Sequence, residues 1–230
     1  MAEKEADYIG HRERVRKKFL ANNGKGMADY ELLELLLMMA IPRRDVKPIA
    51  KELLRKFGSF ANVVNAPTNK LMEINYIKET SAVLLKSVAA AVQKICWKNL
   101  ANDDKPVLIN IDTLVDYCRS SLAYSDVEEL MIMYLDASLK LVDTEVLQKG
   151  SLTGVAVAPR EIVQHALDKN VPNIIMVHNH PSGNVRPSEN DCVLTRKIAQ
   201  ACELMGLKLQ EHIIISRNGY FSFREKGLIS

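Results

Sequence analysis

Apolar residues along the first hundred positions recur every three to four residues, which is the spacing of amphipathic helices. Helices are predicted over residues 7–20, 30–40, 46–57, 59–65 and 81–98. Asp29 and Ser59 are expected to be the N-caps of the second and fourth of these helices. Gly58 follows the third helix, where a glycine commonly ends a helix. The front of the chain is therefore predicted to be all-helical.

The pattern changes after the polar segment 102–106, which reads Asn-Asp-Asp-Lys-Pro and predicts a domain boundary. We place a helical domain at 1–103 and a second domain at 104–230. Strands are predicted over 130–135, 141–147, 173–177, 207–216 and 220–223, and helices over 112–121, 159–167 and 188–205. Asn218-Gly219 is a hairpin signal between the last two strands. The second domain is therefore predicted to be mixed α/β.

Charge is distributed unevenly along the chain. Residues 1–100 carry 18 Lys/Arg and 11 Asp/Glu, whereas residues 101–230 carry 13 and 17. This asymmetry suggests two units with different partners, although an ordinary solvated surface explains it equally well. Mean hydropathy is −0.08, the four cysteines form no C-x-x-C pair, and neither a bilayer-length apolar stretch nor a signal peptide is visible. We expect a cytoplasmic globular protein with free thiols and no membrane partner.

The most informative chemistry lies at His178-x-His180, which is followed by Ser188-x-x-Asp191. Two imidazoles and one carboxylate are the ligand set of an open zinc site that keeps a fourth position for water. If the histidines continue the apolar run 173–177 as a strand, its period of two puts both rings on one side. Asp191 lies in the first turn of the next helix. These side chains can therefore converge on one Zn²⁺ ion, and loop histidines hydrogen-bonded to backbone are the alternative.

This motif resembles the JAMM motif of MPN-domain metalloproteins, and the wider chain resembles the RadC family of bacterial proteins. Landmarks of that family follow in order: Leu135-Asp136, Gly150-Ser-Leu152, Pro159-Arg-Glu161, His178-Asn-His-Pro-Ser-Gly183, Pro187-Ser188 and Glu211-His212. The first domain shares His11-Arg12, Glu31-Leu-Leu33 and Phe57-Gly58. The resemblance implies an α/β fold of the MPN (cytidine-deaminase-like) type, preceded by a small all-α domain similar to a helix-hairpin-helix module.

The resemblance also implies a chemistry. It implies that His178, His180 and Asp191 bind zinc in a JAMM-type metallopeptidase or isopeptidase, which would use a zinc-activated water on a peptide or protein substrate. In active relatives a glutamate at the start of an early strand is the acid/base, and Glu128 matches that position. A surface carboxylate is the alternative for Glu128. The adjacent Glu129 is expected to face the opposite side of the strand.

Three further residues around the motif have expected roles. Ser188 can stabilise an oxyanion or orient the water, and it can equally begin a helix as the N-cap of a capping box that Asp191 completes; both roles can hold together. Gly183 is expected to supply a positive φ in the loop after the histidines. His212 alternates along a predicted strand and is expected to support the site or the core rather than bind the metal.

Two other functions are compatible with the sequence. The RadC family traditionally carries the label of DNA repair, which suggests a non-catalytic accessory protein in DNA metabolism with the MPN domain as a scaffold. Basic N-terminal helices can contact DNA weakly and nonspecifically. However, the hairpin position reads Tyr76-Ile-Lys-Glu-Thr80 without glycine, so the tight turn and its phosphate contacts are expected to be weakened. A nuclease fits less well, because one zinc without a further carboxylate cluster suits two-metal phosphoryl chemistry poorly.

Overall fold

The computed structural model of the protein describes residues 2–101, 105–150 and 158–229, with side chains from residue 10 onward. The chain divides into two compact units, at 1–91 and 92–230. The boundary predicted between residues 103 and 104 lies outside the described residues and stays a prediction. Within the part of the chain that the structure describes, no helix is long and apolar enough to cross a membrane.

The first unit is helical, as predicted. Its helices are α1 (Ala2–Asn22), α2 (Asp29–Ala40), α3 (Lys47–Phe57), α4 (Phe60–Asn65), α5 (Thr68–Met72) and α6 (Glu79–Ala101), whose residues from 92 onward belong to the second unit. Their apolar faces form one core, which includes Leu33, Leu37, Leu53, Val63, Leu71, Ile77 and Leu85. Helix α5 was not predicted, because five residues are too few to show a helical period.

The prediction that Asp29 is the N-cap of α2 is wrong. The N-cap is Ala28, whose backbone N–H donates to the Glu31 carboxylate (2.9 Å). Asp29 instead accepts a hydrogen bond from the backbone N–H of Phe60 (2.8 Å), at the first residue of α4. Asp29 therefore ties the start of α4 to the start of α2, a long-range contact that local spacing cannot show.

The hairpin before α6 forms despite its missing glycine. Tyr76 takes a left-handed conformation with φ of 69°. The turn is closed by a hydrogen bond from the Ile77 N–H to the Ile74 carbonyl (3.1 Å). A residue with a Cβ costs about 1–2 kcal/mol in this conformation. The expected resistance to the turn is therefore a cost in stability and does not prevent the turn from forming.

The second unit is a mixed α/β layer structure, as predicted. Its elements are a 3₁₀ turn (Val107–Ile109), α7 (Ile111–Leu122), β1 (Glu129–Leu135), β2 (Leu141–Lys149), α8 (Pro159–Asp168), β3 (Asn173–Asn179), α9 (Glu189–Leu204), β4 (Lys208–Ile215) and β5 (Tyr220–Ser222). The five strands form one sheet in the order β2-β1-β3-β4-β5. Strands β3 and β4 are parallel, and the other neighbouring pairs are antiparallel. Because β3 is a central strand, all seven of its residues are buried.

Alternation along the central strands builds a separate core on each face of the sheet. One face packs with residues of α7, and its strand members include Met131, Met133, Ile175, Val177 and Ile213. The other face packs with residues of α8 and α9, and its strand members include Leu130, Ile132, Tyr134, Ile174 and Met176. The face covered by α8 and α9 therefore carries the even-numbered residues of β3, a series that continues to His178.

Candidate metal centre

The end of β3 holds both histidines of the motif. His178 lies within β3, opposite Leu130 of β1, and its side chain is fully buried. His180 follows the strand directly, and its backbone N–H donates to the Ile215 carbonyl (3.0 Å), which extends the pairing with β4. The two rings therefore lie on one side, with centroids 4.9 Å apart. Gly183 then turns the chain away with φ of 87°, as expected.

The start of α9 supplies the carboxylate. Ser188 is the N-cap of α9, and its hydroxyl oxygen accepts a hydrogen bond from the Asp191 N–H (3.1 Å). The Ser188 N–H and hydroxyl both donate to Asp191 Oδ2, each at 2.7 Å. The predicted capping box is therefore confirmed. Asp191 Oδ2 receives both of these hydrogen bonds, and Oδ1 is the oxygen that faces His178.

The three predicted ligands converge on one point. The Nε2 atoms of His178 and His180 are 3.0 Å apart. Asp191 Oδ1 is 3.3 Å from His178 Nε2, and Oδ2 is 3.6 Å from His180 Nε2. Among the described residues, this is the group of histidine, cysteine and acidic side chains whose ligand atoms lie close enough together, within 4.8 Å, to hold a metal ion.

The hydrogen-bond partner of His180 Nδ1 determines which nitrogen of the ring carries the hydrogen. His180 Nδ1 lies 2.6 Å from the backbone carbonyl of Asn184. A carbonyl can only accept, so Nδ1 carries the hydrogen and the lone pair is on Nε2. That lone pair points toward His178 and Asp191, which is the arrangement a metal-binding imidazole needs.

Behind His178 lies a pair of buried side chains that sequence reasoning assigned only in part. His178 Nδ1 is 2.8 Å from His212 Nε2, and His212 Nδ1 is 2.7 Å from Thr195 Oγ1. His212 lies on β4 and its ring stacks on Phe223 at a centroid distance of 4.4 Å. His212 therefore contacts His178 from behind and lies outside the group of three that could hold a metal ion. Thr195 was missed; its position four residues after Asp191, on the same face of α9, was the available signal.

Glu128 lies just before β1. Its carbonyl accepts a hydrogen bond from the Gly150 N–H (2.7 Å). Extending the alternation of β1 by one residue puts Glu128 on the face that carries Leu130 and His178. Its charge is among the causes that raise the pKa of His180. Glu129 faces the other side, as expected, and contacts Ser125 (3.2 Å) and Lys149 (3.5 Å).

Asn179, between the two histidines, holds the backbone on both sides of Glu128. Its Oδ1 accepts from the Glu129 N–H (2.7 Å), and its Nδ2 donates to the Val127 carbonyl (3.0 Å). The side chain is fully buried. Sequence reasoning assigned Asn179 no role, because both partners lie about 50 residues away in the chain. The ligand-bearing strand and the segment of Glu128 are thus connected directly.

Burial and charge shift the pKa values in this site. Burial alone raises the pKa of Asp191, but hydrogen bonds with His178, His180 and Ser188 hold it well below its ordinary value. The hydrogen bond with Asp191 raises the pKa of His180 against the opposing effect of burial. Burial, followed by the neighbouring His178, lowers the pKa of His212 well below 6.5. The site therefore attracts a cation between its ligands, and a proton competes for the same lone pairs.

Fold and site define the second unit as a JAB/MPN domain with a group of side chains that could hold a metal ion. A family model described as the RadC-like JAB domain matches residues 108–228. The chain is 44% identical to the UPF0758 protein of Fusobacterium nucleatum over 230 residues, which cover 98% of this chain and 99% of that protein. It is 40% identical to the UPF0758 protein of Rhodobacter capsulatus over 215 residues, or 94% and 100% of the two chains. The protein of Ruegeria pomeroyi is 38% identical over 219 residues, or 95% and 97%. The chain belongs to the RadC family.

The raised pKa of His180 predicts how metal affinity depends on pH. Metal binding needs the neutral imidazole, and Asp191 favours the protonated one, so protons compete above the ordinary pKa of 6.5. Asp191 stays ionised and adds no slope in this range. We expect the apparent Kd for zinc to rise by roughly tenfold for each pH unit below the raised pKa, because one proton is displaced for each zinc ion bound. Competition with a chelator at several pH values measures this.

His165→Gln is the matched control for this pH dependence. His165 contacts Glu145 (2.9 Å) and is not a ligand, so its replacement should leave the slope unchanged. A zinc affinity that stays constant between about pH 8 and pH 5 would show that zinc displaces no proton from an imidazole, and would contradict the prediction.

Proposed function

We propose that this protein is a zinc-dependent hydrolase of the JAMM type that cleaves a peptide or isopeptide amide. The observation that carries the proposal is the convergence of His178 Nε2, His180 Nε2 and the Asp191 carboxylate. Membership in a family defined by a JAB domain supports it. The substrate on this proposal is a peptide or protein.

The ligand set and its spacing suit zinc. Tetrahedral coordination with bonds of about 2.0–2.2 Å needs neighbouring ligand atoms roughly 3.3–3.6 Å apart. The 3.0 Å between the two Nε2 atoms and the 3.3 Å between His178 Nε2 and Asp191 Oδ1 lie at or slightly below the lower end of that range. Three protein ligands of mixed nitrogen and oxygen type also leave a position open for water, as in catalytic sites. When bound, zinc supplies the Lewis acidity that lowers the pKa of a water from ~15.7 to ~7.

Glu128 is the proposed acid/base. Its carboxylate accepts a proton from the attacking water and returns it to the nitrogen of the departing amine. The Asn179 side chain holds the backbone on both sides of Glu128, which supports this assignment because it connects the segment of Glu128 to the strand of His178. Ser188 has two proposed roles. Its hydroxyl hydrogen donates to Asp191 Oδ2 (2.7 Å) and so aims that carboxylate. In its second role the Ser188 oxygen accepts a hydrogen bond from the attacking water and orients it, whereas stabilising an oxyanion would require the single hydroxyl hydrogen to leave Asp191.

Replacement of Glu128 separates catalysis from metal binding. Glu128→Gln removes the proton acceptor and leaves the three ligands in place. We expect kcat on a quenched-fluorescence library of peptides and lysine-linked isopeptides to fall by about 10²–10⁴-fold, with zinc content unchanged. The matched control is Glu129→Gln, which removes the adjacent carboxylate on the other side of the strand and should retain activity.

Two results contradict this assignment. Equal activity of the Glu128→Gln variant and the wild-type protein would remove Glu128 from the reaction. Zinc-loaded wild-type protein that cleaves neither bond type across the library would remove the amide hydrolase proposal itself.

A second candidate function is weak DNA contact through the first unit, with the MPN domain as a scaffold. The observation that favours it is a group of cations beside aromatic rings. The Arg44 guanidinium lies 3.7 Å from the centroid of the half-exposed Tyr76 ring. Lys47 and Lys51 lie 5.7 and 5.6 Å from the Tyr30 ring. Such pairs can contact phosphates and bases without reading sequence.

Salt dependence tests this second function. We expect a labelled duplex to bind the protein at low salt, with a slope of log K against log salt of about −0.9 per phosphate contact. Lys51→Ala should weaken binding and reduce the slope by about one contact. Lys86→Ala is the control, because the Lys86 ammonium donates to the Asn65 carbonyl (2.9 Å). Absence of binding at low salt would remove this function.

A further inference from the structure

We propose that His212 and Thr195 are positioning residues that select Nε2 of His178 as its metal-binding nitrogen. The inference rests on the metal site of the proposed function and on no assumption about substrate. It follows from a relay, which is a continuous line of hydrogen bonds from the backbone of one ligand, Asp191, through Thr195 and His212 to the ring of another, His178. The line crosses α9, β4 and β3.

The direction of this line is set at Thr195. Thr195 Oγ1 lies 2.6 Å from the backbone carbonyl oxygen of Asp191. Two oxygens at this distance need a hydrogen between them, and the carbonyl has none to give. The single hydroxyl hydrogen of Thr195 therefore points at Asp191. Toward His212, at 2.7 Å, the Thr195 oxygen can then only accept.

The hydrogen on Thr195 fixes the hydrogen positions of both rings. Because Thr195 accepts, His212 Nδ1 carries the hydrogen of the neutral ring, and His212 Nε2 has a lone pair. That lone pair faces His178 Nδ1 at 2.8 Å, so His178 Nδ1 is the donor. The lone pair of His178 is consequently on Nε2, which points at His180 Nε2 and Asp191 Oδ1. His178 is thus prepared for a metal ion by groups that do not touch the ion.

The surroundings keep the relay in one arrangement. His212 and Thr195 are buried, so water does not compete for their hydrogen bonds. The His212 ring stacks on Phe223 with an interplanar angle of 19°. The backbone N–H of His212 donates to the buried Glu211 carboxylate (2.7 Å). A ring that cannot turn presents a fixed acceptor to His178. Outer partners of this kind typically change metal affinity by about 10–100-fold when they are replaced.

Zinc affinity of paired variants tests the relay. Thr195→Val removes the hydroxyl at nearly constant volume, and Thr195→Ser restores it. His212→Leu removes the acceptor, and His212→Gln offers a carboxamide oxygen in its place. In competition with a chelator, we expect Thr195→Val and His212→Leu to weaken zinc binding by about 10–100-fold. Thr195→Ser should bind like the wild-type protein, and His212→Gln more tightly than His212→Leu. Circular dichroism checks that each variant is folded.

A spectroscopic measurement reads the relay without any variant. Long-range ¹H–¹⁵N correlation spectra of the metal-free wild-type protein, at one mildly alkaline pH, report which nitrogen of each histidine carries the hydrogen. We expect the Nδ1–H form for His178 and for His212. A merely structural role for His212 predicts no preference at His178. This measurement remains decisive if a variant fails to fold.

The outcomes are distinct. An Nε2–H form of His178, or wild-type zinc affinity in folded Thr195→Val, would overturn the relay. A wild-type protein that binds no zinc would instead refute the metal site of the proposed function, while the spectra would still test the direction of the hydrogen bonds. Zinc binding without hydrolysis leaves the relay supported and refutes only the catalytic proposal.

Discussion

Two nitrogen lone pairs that face each other at 3.0 Å repel unless a cation lies between them, and the rest of this site depends on that constraint. Neither ring can relieve the repulsion by moving its hydrogen, since the Asn184 carbonyl keeps one hydrogen on Nδ1 of His180. The acceptor on His212 has the same effect on His178. A carboxylate 3.3 Å away makes the same point attractive to a positive charge. The arrangement therefore favours a cation at this point, and either a proton or a metal ion can occupy it.

The sheet makes this arrangement possible because it brings together groups that are far apart in sequence. A central, fully buried strand delivers the histidines, and the parallel strand beside it delivers His212. Helix α9, which follows β3 in the chain, carries Asp191 in its first turn and Thr195 one turn later. On the other side of β3, the antiparallel pairing with β1 sets Leu130 opposite His178, and Asn179 fixes the backbone around Glu128. Rigid elements on three sides therefore hold the ligands, which limits the reorganisation that metal binding requires.

The sequence allowed prediction of whatever depends on local periodicity. Alternation at the end of a strand placed His178 and His180 on one side, and the capping-box spacing of Ser188 and Asp191 located a helix start. Contacts between distant segments were not predictable in this way. Thr195 and Asn179 bond to partners set by strand register and helix packing, and Asp29 bonds to the first residue of α4 rather than capping its own helix for the same reason. Propensity also failed at Tyr76, where tertiary structure imposes a left-handed conformation on a bulky residue.

The most direct test of the central claim is anomalous diffraction at the zinc edge from a crystal of the zinc-loaded protein. We expect one fully occupied peak per chain at about 2.0–2.2 Å from His178 Nε2, His180 Nε2 and Asp191 Oδ1. A peak bound through Nδ1 of either ring, or zinc found only at other surface groups while these three side chains point apart, would contradict it.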